Sequence, residues 1–176
     1  MPATATSSPY LRPPTDDKLV VGVADLVVSD RPGIEIITHA LGSCIGVTVF
    51  DPVTKVAGML HYMLPGSTDT AKAEANPAMF GETGIPLLFK TCYALGAAKE
   101  RLIVCAAGGA EILNDDGTFR VGSRNRTLLR KIFWKNNVLI HAEDTGGNNC
   151  RTLSLRTDDG CVEIRSQGKV KKLWPE

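Results

Sequence analysis

The sequence contains no hydrophobic run long enough to cross a membrane. No apolar stretch approaches the ~18 residues that a membrane-spanning helix needs. The first residues also lack a basic segment followed by an apolar one, which is the pattern of an export signal. We therefore expect a cytoplasmic protein without membrane insertion.

Cysteine pairs are also lacking. The five cysteines are widely spaced, odd in number and free of any C-x-x-C motif. Structural zinc sites and disulfide frameworks usually contain closely spaced cysteine pairs, so this pattern argues against both and favours a reducing compartment. We expect no metal site.

Charge of one sign is not in excess either. The 20 basic residues nearly balance the 19 acidic residues of the 176-residue chain, whereas nucleic-acid-binding proteins usually carry a clustered basic excess. We therefore expect no nucleic-acid partner. The length and the hydrophobic content of 43% are typical of one globular domain with a core of its own.

Short segments rich in apolar and β-branched residues recur along the chain and predict strands. The predicted strands span residues 19–28, 34–37, 45–50, 56–63, 102–107, 138–142, 152–155 and 161–165. Asp51 and Pro52 separate two of them and favour a turn. Residues 45–63 are therefore predicted to form a hairpin.

Helical periodicity predicts two helices, over residues 85–95 and 128–133, and the intervening polar stretches predict loops. Thr83 is the predicted cap of the first helix, and Ser123 or Asn125 the cap of the second. Residues 66–84 are predicted to form a partly helical loop that borders a site.

Strands and helices do not alternate regularly, so we predict an α+β fold with a mainly antiparallel, sandwich-like sheet core flanked by helices. Residues 18–168 would form its single domain. Residues 1–17 are predicted to be a flexible leader and residues 169–176 a basic C-terminal tail.

The segment T-H-A-L-G-S-C-I-G-V at residues 38–47 is the strongest candidate for chemistry. A turn that becomes a strand at Cys44 would let Gly42 bring a substrate close and aim N–H groups near Ser43 at one point, as in an oxyanion hole. His61 lies on the second strand of the predicted hairpin, so strand pairing would bring imidazole and thiol together. From these residues alone, a buried structural cysteine and a structural histidine remain open alternatives.

The wider sequence resembles a known family through five motifs that occur in that family's order. They are T-x-x-L-G-S-C at residues 38–44, G-x-x-H-x-M-L-P at 58–65, G-G-A at 108–110, G-x-R-N at 122–125 and D-x-G-G at 144–147. Over residues 19–165 the chain thereby resembles CheD, the chemoreceptor glutamine deamidase family of bacterial and archaeal chemotaxis. One difference is Cys150, which precedes Arg151 where that family commonly has glycine.

The resemblance implies a cysteine hydrolase that converts glutamine side chains on chemoreceptor cytoplasmic domains to glutamate without a cofactor. It assigns Cys44 as the nucleophile, His61 as the general base and Thr38 as the residue that orients the imidazole. Arg124 and Asn125 would line the site or contact a partner.

The resemblance also implies a protein partner, a chemotaxis phosphatase of the CheC type. One alternative is therefore a binding module that regulates such a phosphatase with little catalysis of its own. Another is a cysteine hydrolase of small amides or esters, with receptor methylester hydrolysis as a variant, because nucleophile and base define the reaction better than the substrate.

Overall fold

The computed structural model of this protein describes residues 8–112 and 120–176. Over these residues the chain forms ten strands, arranged as two five-stranded sheets. The first sheet contains, in spatial order, β1 (Lys18–Val21), β3 (Glu35–Leu41), β8 (Arg151–Arg156), β9 (Val162–Ser166) and β10 (Lys169–Trp174). The second contains β2 (Asp25–Ser29), β5 (Ala57–Tyr62), β4 (Ile45–Phe50), β6 (Ile103–Gly108) and β7 (Ala142–Thr145).

Six of the eight strand pairings among the described residues are antiparallel; β1 with β3 and β6 with β7 are the parallel pairs. The α-helices of the same residues are α1 (Thr70–Ala75), α2 (Gly81–Ala94) and α3 (Val121–Lys135). The predicted α+β class with mainly antiparallel strands is therefore confirmed. No helix in this part of the chain is long and apolar enough to span a bilayer.

The second sheet is buried on both faces because its strands alternate between two cores. In β5, Met59 points into the core shared with the first sheet, where it meets residues such as Ile36. Leu60 points the other way, into the core formed with α2 and α3, where it meets Leu88 and Leu129. Alternation of side chains along a strand allows one strand to serve both layers. The architecture is a two-sheet sandwich covered by helices on one side.

The prediction of one strand over residues 19–28 is wrong. The chain leaves the first sheet after Val21 and enters the second sheet at Asp25. Ala24 adopts a left-handed backbone conformation, and the Asp25 carboxylate accepts the N–H of Gly22 at 3.1 Å. This turn moves a continuous apolar run from one sheet to the other.

The strand predicted at residues 138–142 is also misplaced, because β7 starts only at Ala142. Val138 and Ile140 instead pack against the core beneath the helices. Their hydrophobic character reflects contact with α2 and α3 rather than membership of a sheet.

Neither predicted helix cap is correct. Helix α2 begins at Gly81, and the Thr83 hydroxyl donates to the carbonyl of Pro77 at 2.6 Å instead of capping the helix. Helix α3 begins at Val121, so Ser123 and Asn125 lie inside its first turns. The Asn125 side chain is directed away from the helix backbone, to partners described below.

Both predicted chain ends differ from the structure where it describes them. Residues 8–17 lie on the fold: Tyr10 packs against the core and Arg12 forms a salt bridge with Asp25. Residues 1–7 lie outside the described residues. At the other end, the expected basic tail contains strand β10, because a turn at Gln167 and Gly168, both with positive φ, reverses the chain after β9. As an edge strand, β10 keeps its lysines exposed to solvent.

Candidate active site

The β4–β5 hairpin brings Cys44 and His61 to the same face of the second sheet. Gly46 in β4 is paired with His61 in β5. Cys44 lies two residues before Gly46, and side chains alternate along a strand, so Cys44 is the diagonal neighbour of His61. A side chain at Gly46 would clash, since its Cβ would lie 2.7 Å from Leu153 Cδ2. The glycine therefore lets the first sheet close over this face.

Thr38 reaches His61 from the opposite sheet. It lies in β3, fully buried, and its Oγ1 is 2.7 Å from His61 Nδ1. The same Oγ1 donates to the backbone carbonyl of Val21 at 2.7 Å. A hydroxyl has one hydrogen, so Thr38 must accept the second bond from Nδ1–H. The tautomer that fits leaves the lone pair of the neutral imidazole on Nε2.

Burial sets the protonation of both groups. It lowers the pKa of His61 to about 4, although the nearby Asp25 carboxylate acts in the opposite direction. Burial also raises the pKa of the Cys44 thiol, and the backbone N–H of Cys44 opposes this shift. Burial therefore favours the neutral form of both the thiol and the imidazole. His61 Nε2 has no hydrogen-bond partner among the described residues.

The loop before Cys44 is held by backbone hydrogen bonds. The N–H of Gly42 donates to the carbonyl of Ala40 at 2.9 Å, so it is not free to hold an oxyanion. Ala40, rather than Gly42, has the left-handed conformation. The Ile112 side chain packs over Gly42, and a Cβ there would lie 2.4 Å from Ile112 Cδ1. The unusual backbone conformation of this turn is therefore that of Ala40, and the predicted part of Gly42 in substrate binding stays a prediction in which its N–H takes no part.

The G-G-A motif forms the support beneath this loop. The N–H of Gly109 donates to the Cys44 carbonyl at 2.8 Å, and the N–H of Ala110 donates to the Gly42 carbonyl at 2.9 Å. Gly108 has a φ of +105°, and a Cβ on it would lie 2.2 Å from the Cys44 carbonyl oxygen. The motif was visible in the sequence, but its partner was not, because 64 positions separate Cys44 from Gly108.

Asn125 and Arg124 have different surroundings although they are adjacent in sequence. Arg124 is exposed on α3, whereas Asn125 is fully buried. The Asn125 Nδ2 donates to the carbonyl of Ser43 at 2.9 Å and to the carbonyl of Met63 at 2.8 Å. The structure therefore places Asn125, and not Arg124, against the Cys44 loop.

The remaining histidines lie elsewhere. His39 is exposed on β3, and His141 accepts the N–H of Val104 at 3.1 Å. Among residues 8–112 and 120–176, no three or more His, Cys, Asp or Glu side chains are grouped so as to hold a metal ion.

Comparison with known proteins gives the family. The family model described as CheD chemotactic sensory transduction matches residues 63–166. A protein of Syntrophus aciditrophicus (strain SB), named "Probable chemoreceptor glutamine deamidase CheD 1", is 53% identical over 151 residues, which cover 85% of this chain and 94% of that protein. This chain belongs to the CheD family. A CheD protein of Solibacter usitatus (strain Ellin6076), with the same deamidase name, is 45% identical over 90% of this chain and 95% of its own length.

The relatives align with the part of this CheD chain that contains the site. An alignment that covers 85% of a 176-residue chain includes its middle, and so the segments of Thr38, Cys44 and His61. A solved structure, the hypothetical protein YfiH of Bacillus licheniformis, matches 70% of this chain and 50% of its own with 10% identity and a TM-score of 0.40. That likeness is weak.

Proposed function

We propose that this protein hydrolyses the side-chain amide of selected glutamines on chemoreceptors, producing glutamate and ammonia. Cys44 is the nucleophile, His61 the general base and Thr38 the residue that orients His61. The observation that supports these roles is the buried arrangement in which Thr38 accepts from His61 Nδ1 and leaves Nε2 without a partner on the face that carries Cys44. The choice of substrate rests on the names of the CheD relatives.

The first step forms a thioester. As the Cys44 sulfur attacks the amide carbon, the thiol proton moves to His61 Nε2 and the carbonyl electron pair moves to the oxygen. Because burial favours the neutral form of both groups, we propose that this transfer accompanies the attack. The carbon–nitrogen bond then breaks, and Nε2 returns the proton to the nitrogen, which leaves as ammonia.

Water completes the reaction. It gives a proton to His61 Nε2 while its oxygen attacks the thioester carbon, and the carbon–sulfur bond then breaks. The sulfur takes back the proton from His61, which regenerates the enzyme. Over both steps, one amide and one water become one carboxylic acid and one ammonia. The negative oxygen of each tetrahedral intermediate needs donors, and the N–H groups of Ser43 and Cys44 are the ones we propose.

Each turnover adds one negative charge to the receptor surface, and such a charge can shift a two-state equilibrium. The proposed substrates are chemoreceptor cytoplasmic domains, which places the reaction in the cytoplasm. A phosphatase of the CheC type is a further proposed partner, on the family resemblance alone. A binding module for that phosphatase would need no buried thiol–imidazole pair, so the geometry favours the enzyme.

Intact-mass analysis of receptor fragments tests the proposal. Purified protein is incubated with a panel of chemoreceptor cytoplasmic fragments, and each converted glutamine adds ~1 Da as amide nitrogen is replaced by oxygen. The Cys44→Ala variant should produce no gain. Cys150→Ala, which removes an exposed cysteine, is the matched control and should retain activity.

Activity of Cys44→Ala equal to wild type would contradict the assignment of the nucleophile. No gain with folded, reduced wild-type protein on any fragment would contradict the deamidase function and favour the phosphatase-binding module.

A further inference from the structure

Asn125 is buried between the two segments that carry the proposed nucleophile and base. Its exposed fraction is 0%. One nitrogen, Nδ2, donates both of its hydrogens, to the carbonyl of Ser43 at 2.9 Å and to the carbonyl of Met63 at 2.8 Å. Ser43 directly precedes Cys44, and Met63 follows His61 by two residues. A single side chain therefore joins the nucleophile loop to the end of the strand that carries the base.

These contacts control the orientation of one peptide plane. In a trans peptide the carbonyl of one residue and the N–H of the next point in opposite directions. Asn125 holds the Ser43 carbonyl on its own side, so the Cys44 N–H points away from Asn125. Gly109 fixes the following peptide by donating to the Cys44 carbonyl at 2.8 Å. The Cys44 N–H is thus held from both sides.

The chemistry of the position requires an amide. Two backbone carbonyls need two donors from one neutral group, and the NH2 of asparagine supplies both. An aspartate carboxylate of the same shape would only accept. The Asn125 Oδ1 is buried and forms no hydrogen bond with the described residues, so the contacts of this side chain are the two made by its NH2 group.

We propose that Asn125 is a positioning residue of the oxyanion hole. Its amide fixes the Ser43–Cys44 peptide so that the Cys44 N–H faces the carbonyl oxygen of the reacting glutamine. This inference rests on the proposed deamidase function. Asn125 touches no reacting atom and acts through the peptide that it holds.

Two reactions of Cys44 separate this role from a general structural one. Deamidation develops a negative oxygen and needs the oriented N–H, whereas alkylation by iodoacetamide needs only an accessible thiolate. Asn125→Ala should lower kcat for a receptor fragment by about 10²–10³-fold, the effect of losing one oxyanion donor. KM and the alkylation rate of Cys44 should change less than about threefold. Asn125→Ser, which keeps one hydrogen-bond donor, should have an intermediate kcat.

Tyr62→Phe is the matched control. The Tyr62 hydroxyl donates to the backbone carbonyl of Asn125 at 2.8 Å. The variant therefore loosens the same end of α3 without removing the side-chain amide of Asn125. Because Tyr62→Phe leaves the proposed oxyanion donor in place, its kcat should stay within about threefold of the wild-type value. Thermal unfolding of every variant is measured alongside the rates.

Three results would overturn the inference. They are an unchanged kcat in Asn125→Ala, a parallel loss of alkylation and deamidation, or failure of both Asn125 variants to fold, which would make the residue a stabilising one. An inactive wild type would instead contradict the proposed function, and the inference with it. An active wild type with an equally active Asn125→Ala contradicts only the inference.

Discussion

The two ends of the β4–β5 hairpin differ in whether their buried polar atoms form hydrogen bonds within the protein. At the turn, the side chain of Asp51 is fully buried, and its carboxylate accepts hydrogen bonds from the N–H groups of Val53, Thr54 and Ala98. Arg101 adds a two-pronged salt bridge, with Nη2 2.7 Å from Asp51 Oδ2. These donors hold the pKa of Asp51 far below its usual range even though burial opposes them.

At the open end of the same hairpin, polar atoms are left without partners. His61 Nε2 and Asn125 Oδ1 are both buried and form no hydrogen bond with the described residues. The turn end therefore pairs its buried polar atoms with protein groups, while the open end leaves the nitrogen of the proposed base without a protein partner.

Replacing His61, the proposed base, should have the largest effect on activity. We expect His61→Gln to lower kcat for deamidation by about 10²–10⁴-fold, the range for loss of a general acid–base group. The free energy of unfolding should fall by only about 1–3 kcal/mol, because Nε2 has no partner to lose and the contact at risk is the hydrogen bond from Nδ1–H to Thr38. Mass-based rates and thermal unfolding check both parts. A variant as active as wild type would show that another group takes the thiol proton.

Removing the Asp51 carboxylate at the turn should lower stability strongly and leave activity nearly unchanged. Asp51→Ala leaves Arg101 and the N–H groups of the turn and of Ala98 without their buried acceptor, so the free energy of unfolding should fall by about 3–5 kcal/mol. Activity per folded molecule should stay within about twofold, since this is the far end of the hairpin from Cys44. Urea unfolding measures the first quantity.

Glu143→Gln is the control for that experiment. Glu143 is bonded to Arg130 at 3.2 Å in a solvent-exposed pair, and such pairs contribute about 0–1 kcal/mol. An equal loss of stability in both variants would contradict the prediction that the buried Asp51 carboxylate stabilises the fold more than an exposed ion pair does.

Acidification should destabilise the protein through His61. In the unfolded chain this histidine takes up a proton near its ordinary pKa of 6.5, but in the folded protein only near about 4. The unfolded state therefore binds more protons between these values, and stability falls as pH is lowered through that window, by about 3 kcal/mol in total. Unfolding at several pH values measures the slope, and His61→Gln should reduce it. If stability falls equally steeply with decreasing pH in His61→Gln and in wild type, the effect comes from carboxylates and not from His61.

Loss of the Thr38 hydroxyl, which we propose orients His61, should have the smallest of these effects. Thr38→Val removes the oxygen that His61 Nδ1–H bonds to, so the ring is no longer held for proton transfer. A misplaced group of this kind lowers kcat by about 10²-fold. Thr38→Ser keeps the hydroxyl and should retain most activity. Equal rates for the two variants would show that orientation of the ring by Thr38 is not needed.

Local sequence determined those parts of the fold in which near neighbours carry the information. The turn at Asp51 and Pro52 sets the hairpin, and the hairpin register follows from residues on either side of it. The periodic apolar residues of α2 and α3 likewise mark which helix face is buried. In these segments, the spacing of residues along the chain is a direct measure of their spacing in the structure.

Long-range contacts decided the rest. The basic stretch at residues 169–174 became an edge strand only because β9 offers it a partner, and residues 19–28 were divided between sheets by a turn that pattern alone did not reveal. Asn125 is compatible with a helix cap in the sequence, but its nitrogen bonds to carbonyls 62 and 82 positions away. The hydrogen bond between Thr38 Oγ1 and His61 Nδ1 also depends on the approach of the two sheets. The same approach decides that Nδ1 carries the imidazole hydrogen, because Thr38 donates its own hydrogen to Val21. The sequence by itself determined which groups are proposed to react, whereas the packing of one sheet on the other decided their orientation and protonation, because both depend on burial and on partners distant in the chain.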